Sequence, residues 1–180
     1  SKEHDLAMGR SNSLVQVDSD TYALAYTGDD NDGYISTFDI NSAGNITPIK
    51  VQNHAVIGGT ANLEHDTTKG EFNSLVQVDS DTYALAYTGD ANVGYISTFN
   101  IAADGTTITE ITSLEHDTDN GTYNSLVQVD SDTYALAYAG DSTDGYISTF
   151  TIDTFVATTT TKKSSSDCYD CKPPVLQSSH

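Results

Sequence analysis

The stretch NSLVQVDSDTYALAYTGD, Asn12 to Asp29, recurs letter for letter at Asn73 to Asp90 and, with Ala139 as its single change, at Asn124 to Asp141. Such a chain has no set of unlike segments from which to build one irregular core. Every copy meets the same packing demands, so the core has to form between neighbouring units, and counting domains becomes counting repeats. The repeat also weighs against a single catalytic centre, which calls for one asymmetric cluster of unlike groups.

Within a unit the pattern is that of strands. Ser13 to Val17 is short, largely apolar and closed by Asp18-Ser19-Asp20, the composition of a strand running into a polar turn. Tyr22 to Thr27 sets Tyr22, Leu24 and Tyr26 against Ala23 and Ala25, and two-residue alternation puts bulky side chains on one face and methyl groups on the other. Identical sheets stacked face to face have a use for that asymmetry. Tyr22, Leu24 and Tyr26, with their copies Tyr83, Leu85, Tyr87 and Tyr134, Leu136, Tyr138, are expected to sink into a neighbour's small face of the Ala84 and Ala86 type. Gly28-Asp29 and Gly33 bound a turn, Tyr34 to Ile40 is rich in aromatic and β-branched residues, and the Thr-rich stretch Thr107 to Glu115 reads as a polar outer edge. No window shows apolar residues at three-four spacing with helix caps. The expected fold class is all-β, in three near-identical four-stranded antiparallel units.

Residues 1–11 read as the end of a preceding outer strand with its loop, 12–66 as the first unit, 67–117 as the second, 118–161 as the third, and 162–180 as a low-complexity tail. The second copy follows the first at a step of 61 residues and the third follows the second at 51, so the first unit carries an insertion, placed at 41–62 around Pro48, Gly58 and Gly59. Glu3-His4-Asp5, Glu64-His65-Asp66 and Glu115-His116-Asp117 stand in similar phase before each core. A four-strand meander of about 50 residues with His-Asp ahead of its innermost strand resembles the blades of β-propeller repeat proteins, over roughly Glu3 to Ile152. The chain has no Trp and lacks the paired signature of WD40 proteins, so the resemblance carries the architecture and not that family's peptide binding. It implies blades arranged in a ring of four to eight. Three units fall short of that. The expectation is a ring completed by another chain, whose stub Ser1 to Asp5 adds a strand to the partner's last sheet, or by a longer polypeptide. Unpaired blade faces expose apolar surface and favour association.

Asp and Glu number 26 against 7 Lys and Arg, a formal charge of −19. Such a surface repels nucleic acid and anionic membranes, and no run approaches the roughly 20 apolar residues of a membrane span. Strong acidity suits a saline exterior and equally serves as a solubility device. A first residue of Ser1 rather than Met suggests a removed leader or a piece of something longer, and the expected location is extracellular or at the cell surface.

The candidate chemistry is sparse. Asp29-Asp30-Asn31-Asp32-Gly33 crowds hard oxygen ligands before a glycine and resembles the short calcium loops of integrin-type propeller blades, with Asp90, Asp141 and Asp144 at related positions. The register is imperfect, because Gly28 falls at the first ligand position and the second unit reads Asp90-Ala91-Asn92-Val93-Gly94; an Asp-rich hairpin without metal fits the same residues. Asp18 and Asp20, with Asp79, Asp81, Asp130 and Asp132, form recurring carboxylate pairs that suit either acid–base chemistry or Asx-type turns. His4, His65 and His116 beside Asp5, Asp66 and Asp117 suggest a structural hydrogen bond tying an outer strand to the next unit, although a carboxylate also orients imidazole for metal or proton transfer. No hydrolase nucleophile motif is present. Cys168 and Cys171 lack the further ligands of a zinc site and read as a local disulfide or an interchain cross-link. Asn45-Ile46-Thr47 and Asn120-Gly121-Thr122 match the N-glycosylation pattern.

The function these features lead to is a non-enzymatic structural or adhesive module that self-associates, as in a surface appendage or filament. Two alternatives stand beside it: a multivalent lectin-like or calcium-binding recognition module, with Ca²⁺ the one cofactor considered and a glycan or surface ligand as partner, and a propeller hydrolase.

Overall fold

The computed structural model describes residues 1–50, 61–153 and 160–167, which leaves the centre of the insertion and both cysteines outside the described residues. Three antiparallel sheets follow one another along the chain. The first contains β1 (Arg10–Gln16), β2 (Thr21–Thr27), β3 (Gly33–Ile40), β4 (Ile46–Pro48) and β5 (Asn62–Asp66). The second contains β6 (Glu71–Gln77), β7 (Thr82–Thr88), β8 (Gly94–Ile101) and β9 (Ile108–Asp117), and the third β10 (Thr122–Gln128), β11 (Thr133–Ala139), β12 (Gly145–Ile152) and β13 (Thr160–Asp167). The second and third sheets are meanders in chain order, the first follows the same order through β4 with β5 returning to pair β3, none closes on itself, and no α-helix occurs among the described residues. The all-β class and the antiparallel sheets are as the repeat predicts, but the first sheet has five strands where four are expected, and the other two have four each.

The ten-residue insertion has a defined seat. In the second sheet β9 pairs continuously along β8 but for bulges at Gly94/Tyr95 and at Thr98/Phe99. In the first sheet the chain breaks the fourth strand at the second of these points: β4 pairs Phe38 to Ile40, and β5 pairs Gly33 to Ser36. The Ala61 N–H donates to the Ile49 carbonyl at 2.8 Å and closes the neck of the insertion. A bulge already holds an unpaired residue, so extra length leaves the chain there with little loss of ladder hydrogen bonding.

Two expectations change. The outer edge of β12 is occupied by β13 from Tyr146 to Ile152, so the last sheet has its fourth strand and does not need another chain's Ser1–Asp5 stub, which itself forms no strand. β13 also runs through the 161/162 boundary as far as Asp167, so the first part of the expected tail belongs to the third sheet.

The turns explain the repeated polar letters. Val17 N–H and Asp18 N–H both donate to the Thr21 carbonyl, and Asp79 Oδ1 accepts from the Asp81 and Thr82 N–H groups at 3.1 and 2.9 Å. Between the second and third strands lies a single 3₁₀ turn, Asp29–Asn31, Asp90–Asn92 or Asp141–Thr143, with two residues in left-handed backbone each time. Asp30 and Asn31 adopt that conformation readily; Ala91, Ser142 and Thr143 adopt it at some cost, which shows the turn to be imposed by the sheet rather than by its own residues. The glycine before the turn is required by contact: a Cβ on Gly28, Gly89 or Gly140 would lie within 2.6 Å of the ring of Tyr34, Tyr95 or Tyr146.

The core sits between sheets. Val17, Ala23, Ala25 and Ile35 of the first pack against Leu75, Tyr83, Leu85, Tyr87, Phe99 and Ile101 of the second. Val78, Ala84, Ala86 and Ile96 of the second meet Leu126, Tyr134, Leu136, Tyr138, Phe150 and Ile152 of the third in the same way. The small face of each sheet therefore receives the bulky face of the next. Leu24, Tyr26 and Phe38, on the bulky face of the first sheet, form a small separate cluster with Tyr34 packed against it, and no other sheet among the described residues lies over them.

Candidate functional site

What the sequence builds twice in identical form is a seam between sheets, and its parts follow from strand alternation. Across β2 and β3, Tyr22 faces Phe38 and Tyr26 faces Tyr34 on one side, while Ala25 faces Ile35 and Ala23 faces Thr37 on the other. On β1, Leu14 lies with Leu24 on the bulky side, and Ser13 lies with Ala25 on the small side. The serine then reaches across the seam. Ser13 Oγ accepts from the Leu75 N–H, and Ser74 Oγ accepts from the Leu126 N–H, at 2.9 Å in both cases. Each satisfies a backbone donor on the open edge of the next sheet's first strand, where an unpaired N–H would otherwise be costly.

A second bond repeats at the rim. Thr27 Oγ1 donates to the Gly70 carbonyl at 2.6 Å, and Thr88 Oγ1 donates to the Gly121 carbonyl. Beside it the Gly70 N–H donates to the Asn31 carbonyl and the Gly121 N–H to the Asn92 carbonyl, at 2.9 and 2.8 Å. Backbone meets backbone here: a Cβ on Gly33 would lie 3.0 Å from Gly70 Cα, and one on Gly94 2.9 Å from Gly121 Cα.

The His-Asp signals lie at the outer part of the same seams. His65, at the end of β5 in the first sheet, stands edge-on to Tyr87 of the second with centroids 4.6 Å apart, and His116 meets Tyr138 of the third at 4.7 Å. His4, ahead of β1, takes the corresponding position on Tyr26 at 4.8 Å. Each of these tyrosines stacks on a second one, Tyr34, Tyr95 or Tyr146. His65 meets the next unit by ring contact where a hydrogen bond is expected: it is buried, neither of its ring nitrogens has a hydrogen-bond partner, and desolvation pushes its pKa down to about 4 against the opposing pull of Asp66. It is a neutral aromatic plug. The neighbouring aspartates act separately, as turn acceptors: Asp5 Oδ1 takes the Ala7 and Met8 N–H groups, Asp66 Oδ1 those of Thr68 and Lys69, and Asp117 Oδ1 those of Asp119 and Asn120.

The candidate calcium residues are dispersed along their turns. Asp90 and Asp141 each accept from the next backbone N–H, of Ala91 and Ser142, at 2.8 Å, while the Asp29 and Asp141 carbonyls accept from the Asp32 and Asp144 N–H groups. Asp32 faces Glu64, and the hydrogen bond between the two carboxyl groups raises Glu64 above its ordinary value. No group of three His, Cys, Asp or Glu placed to hold a metal ion occurs among the described residues. A polar cavity of about 370 Å³ opens beside the third turn, lined by His116, Asp117, Asp141, Tyr138 and Tyr146 among others.

The Asp18-type pairs are spent on turn backbone, through Ser19, Ser131 and the Asp81 and Thr82 N–H groups, while Asp81 Oδ2 also holds Asn100 Nδ2 at 2.9 Å. Of the two glycosylation matches, Asn120 uses its side-chain amide on the Gly140 carbonyl at 2.7 Å, whereas Asn45 is exposed beside β4. Cys168 and Cys171 lie outside the described residues.

Sequence reasoning missed three contributors to the seam: Phe38 and its copies Phe99 and Phe150, the serines at Ser13 and Ser74, and the threonines at Thr27 and Thr88. Phe99 was findable, since strand register puts it opposite Tyr83 on the bulky face. The hydroxyl bonds carry no pattern of their own, because Ser and Thr are common in strands and only the stacking distance gives them acceptors and donors. The chain matches no protein-family model and no curated protein.

Proposed function

We propose that this chain is a non-enzymatic structural module that works by stacking copies of one sheet, with the three sheets as consecutive blades of a propeller-type array and with further copies of the chain as its partners. The observation that carries this reading is the seam: the same small face, bulky face, serine bond and threonine bond are built twice in succession from the same letters. The recurring apolar residues are those that join one unit to the next. The recurring carboxylates hold turns, and the recurring histidine fills space between rings. A ring of six blades would take two chains; an open array would take more, and either serves an extracellular scaffold or adhesive coat whose acidic rims keep it soluble.

Mass in solution tests the reading. Light scattering or sedimentation over a hundredfold range of concentration is expected to show species above 19.2 kDa whose share rises with concentration. A strict 19.2 kDa monomer throughout, at both low and high salt, would reject it.

A further inference from the structure

The two ends of the stack carry the two halves of its own seam. We propose that the small face of the third sheet docks head to tail onto the bulky face of the first sheet in a second copy, in the geometry of the internal seams, and that Ala139 makes this joint weaker than either of them. The proposal rests on the self-association reading and names the surfaces that reading requires.

Burial identifies the two faces. Leu14 is 55% exposed, with Leu24 and Phe38 beside it at 9% and 6%, whereas the copies Leu75 and Leu126 are each 6% and Leu85, Leu136, Phe99 and Phe150 each 0% exposed beneath a neighbouring sheet. At the other end Val129 is 63% and Ile147 51% exposed, against 8% for Val17 and Val78 and 0% for Ile35 and Ile96. The first-sheet face holds a groove of about 300 Å³ lined by Leu14, Leu24, Phe38, Ile40 and others. The equivalents of those four, Leu75, Leu85, Phe99 and Ile101, receive Val17, Ala23, Ala25 and Ile35 in the first internal seam. The floor of the groove therefore has the apolar lining that Val129, Ala135, Ala137 and Ile147 would meet, with Lys2 and His4 at its edge. On β10, β11, β12 and the turn after β10 the small face carries no charge: it reads Ser125, Val127, Val129, Ala135, Ala137, Ile147 and Thr149.

The polar parts are divided between the ends in the same way. Ser125 Oγ is the copy of the acceptor that takes the next sheet's Leu N–H, and the Leu14 N–H is the matching donor. Gly145, which in the other units presses on the next sheet's glycine, has open space where a Cβ would stand, and Gly9 is the glycine at the opposite end. One part is missing. The Thr27 and Thr88 hydroxyls cross their seams to Gly70 and Gly121, but the third copy has Ala139 there, so the Gly9 carbonyl of a docked chain receives no such bond. The only letter by which the third core differs lies at the joint between chains.

The test uses charge on each face. Val129→Asp and Leu14→Asp are exposed changes on opposite ends, with Ile147→Asp as a second small-face variant in case Val129→Asp lowers the thermal midpoint. Each variant alone is expected to stay at 19.2 kDa under conditions where the wild type associates, and an equimolar mixture of the two is expected to give a one-to-one pair, because each retains the face the other lacks. Ala139→Thr is expected to tighten association roughly threefold to tenfold, the yield of one regained hydrogen bond. If the wild type never associates, the self-association reading itself fails. If the wild type associates and the Asp variants do so equally well, or their mixture stays monomeric, self-association stands and these surfaces are wrong. An unchanged affinity in Ala139→Thr would overturn the weakened joint alone.

Discussion

His65 gives the stack a pH dependence whose size follows from its burial. The ring is enclosed between Gly33 and Gly70 and the edge of Tyr87, with Phe99 6.1 Å away, and Asp66 is the charged group that pulls against its desolvation. Its pKa falls from the ordinary 6.5 to about 4 in the folded chain. Between those values the unfolded chain binds a proton that the folded chain refuses. Stability from this residue is therefore complete above pH 6.5, declines as the pH drops, and is gone below about 4. At about 1.4 kcal/mol for each pH unit of that gap, the loss is roughly 3 kcal/mol, a large share of the stability of a domain this size.

The perturbation is His65→Phe, which keeps an aromatic edge toward Tyr87 and cannot take a proton; His65→Leu serves if the larger ring strains the pocket beside Gly33. The assay is urea unfolding followed by tyrosine fluorescence at several pH values between 7.5 and 4. Acid also protonates carboxylates and relieves the repulsion of a −19 chain, so the informative quantity is the difference between wild type and variant at each pH. That difference is expected to move in favour of the variant by roughly 3 kcal/mol from pH 7 to pH 4. Parallel pH profiles would refute the reasoning, since they would mean that folded His65 titrates as it does in the unfolded chain.

Two further outcomes separate seam from surface. Gly70→Ala places a Cβ against Gly33 Cα and 2.7 Å from Gly33 N, backbone that cannot move aside, and is expected to cost at least about 2 kcal/mol in thermal or urea unfolding. Gly9→Ala meets only the His4 ring and should leave the isolated chain within about 0.5 kcal/mol of wild type; equal costs would show that the glycine contact does not hold the sheets together. For calcium, a melt in chelator and a melt in millimolar Ca²⁺ are expected to share one midpoint, and a rise with Ca²⁺ would restore the Asp29-type loop as a metal site, with the Asp32–Glu64 pair as the first place to look.

The face-to-face packing was legible from Tyr22 to Tyr26 alone, because bulk on alternate residues is a statement about what lies on each side of a strand. The division of residues between the two clusters follows it position by position. The histidines were legible as recurring, but not in their role. A His-Asp dipeptide suggests a hydrogen bond, and what decides otherwise is tertiary: strand direction turns His65 into the seam and Asp66 toward its own turn, and no spacing in the sequence encodes that separation. The split of the first unit's fourth strand was hidden for a similar reason, because a bulge at the position of Thr98 and Phe99 shows only in the pairing register. The strand at Thr160–Asp167 was masked by composition, since a Thr-, Lys- and Ser-rich run reads as a linker until a neighbouring edge offers it a ladder.

Copying one sheet solves the core and creates a problem at the ends. Repeat arrays commonly finish with units whose outer face is polar, yet Leu14 at one end and Val127, Val129 and Ile147 at the other are exposed and apolar. Much of the charge lies in turns such as Asp130, Asp132, Asp141 and Asp144, while the exposed Val127, Val129 and Ile147 of the third sheet are apolar. Rim charge of one sign repels another copy at a distance but lies outside the contact once two faces meet, and salt at physiological strength screens it beyond about 8 Å. On the proposed docking, rim charge would oppose casual aggregation without entering the contact. If chains dock as proposed, the missing hydroxyl at Ala139 would leave the joint between them more reversible than the two inside the chain.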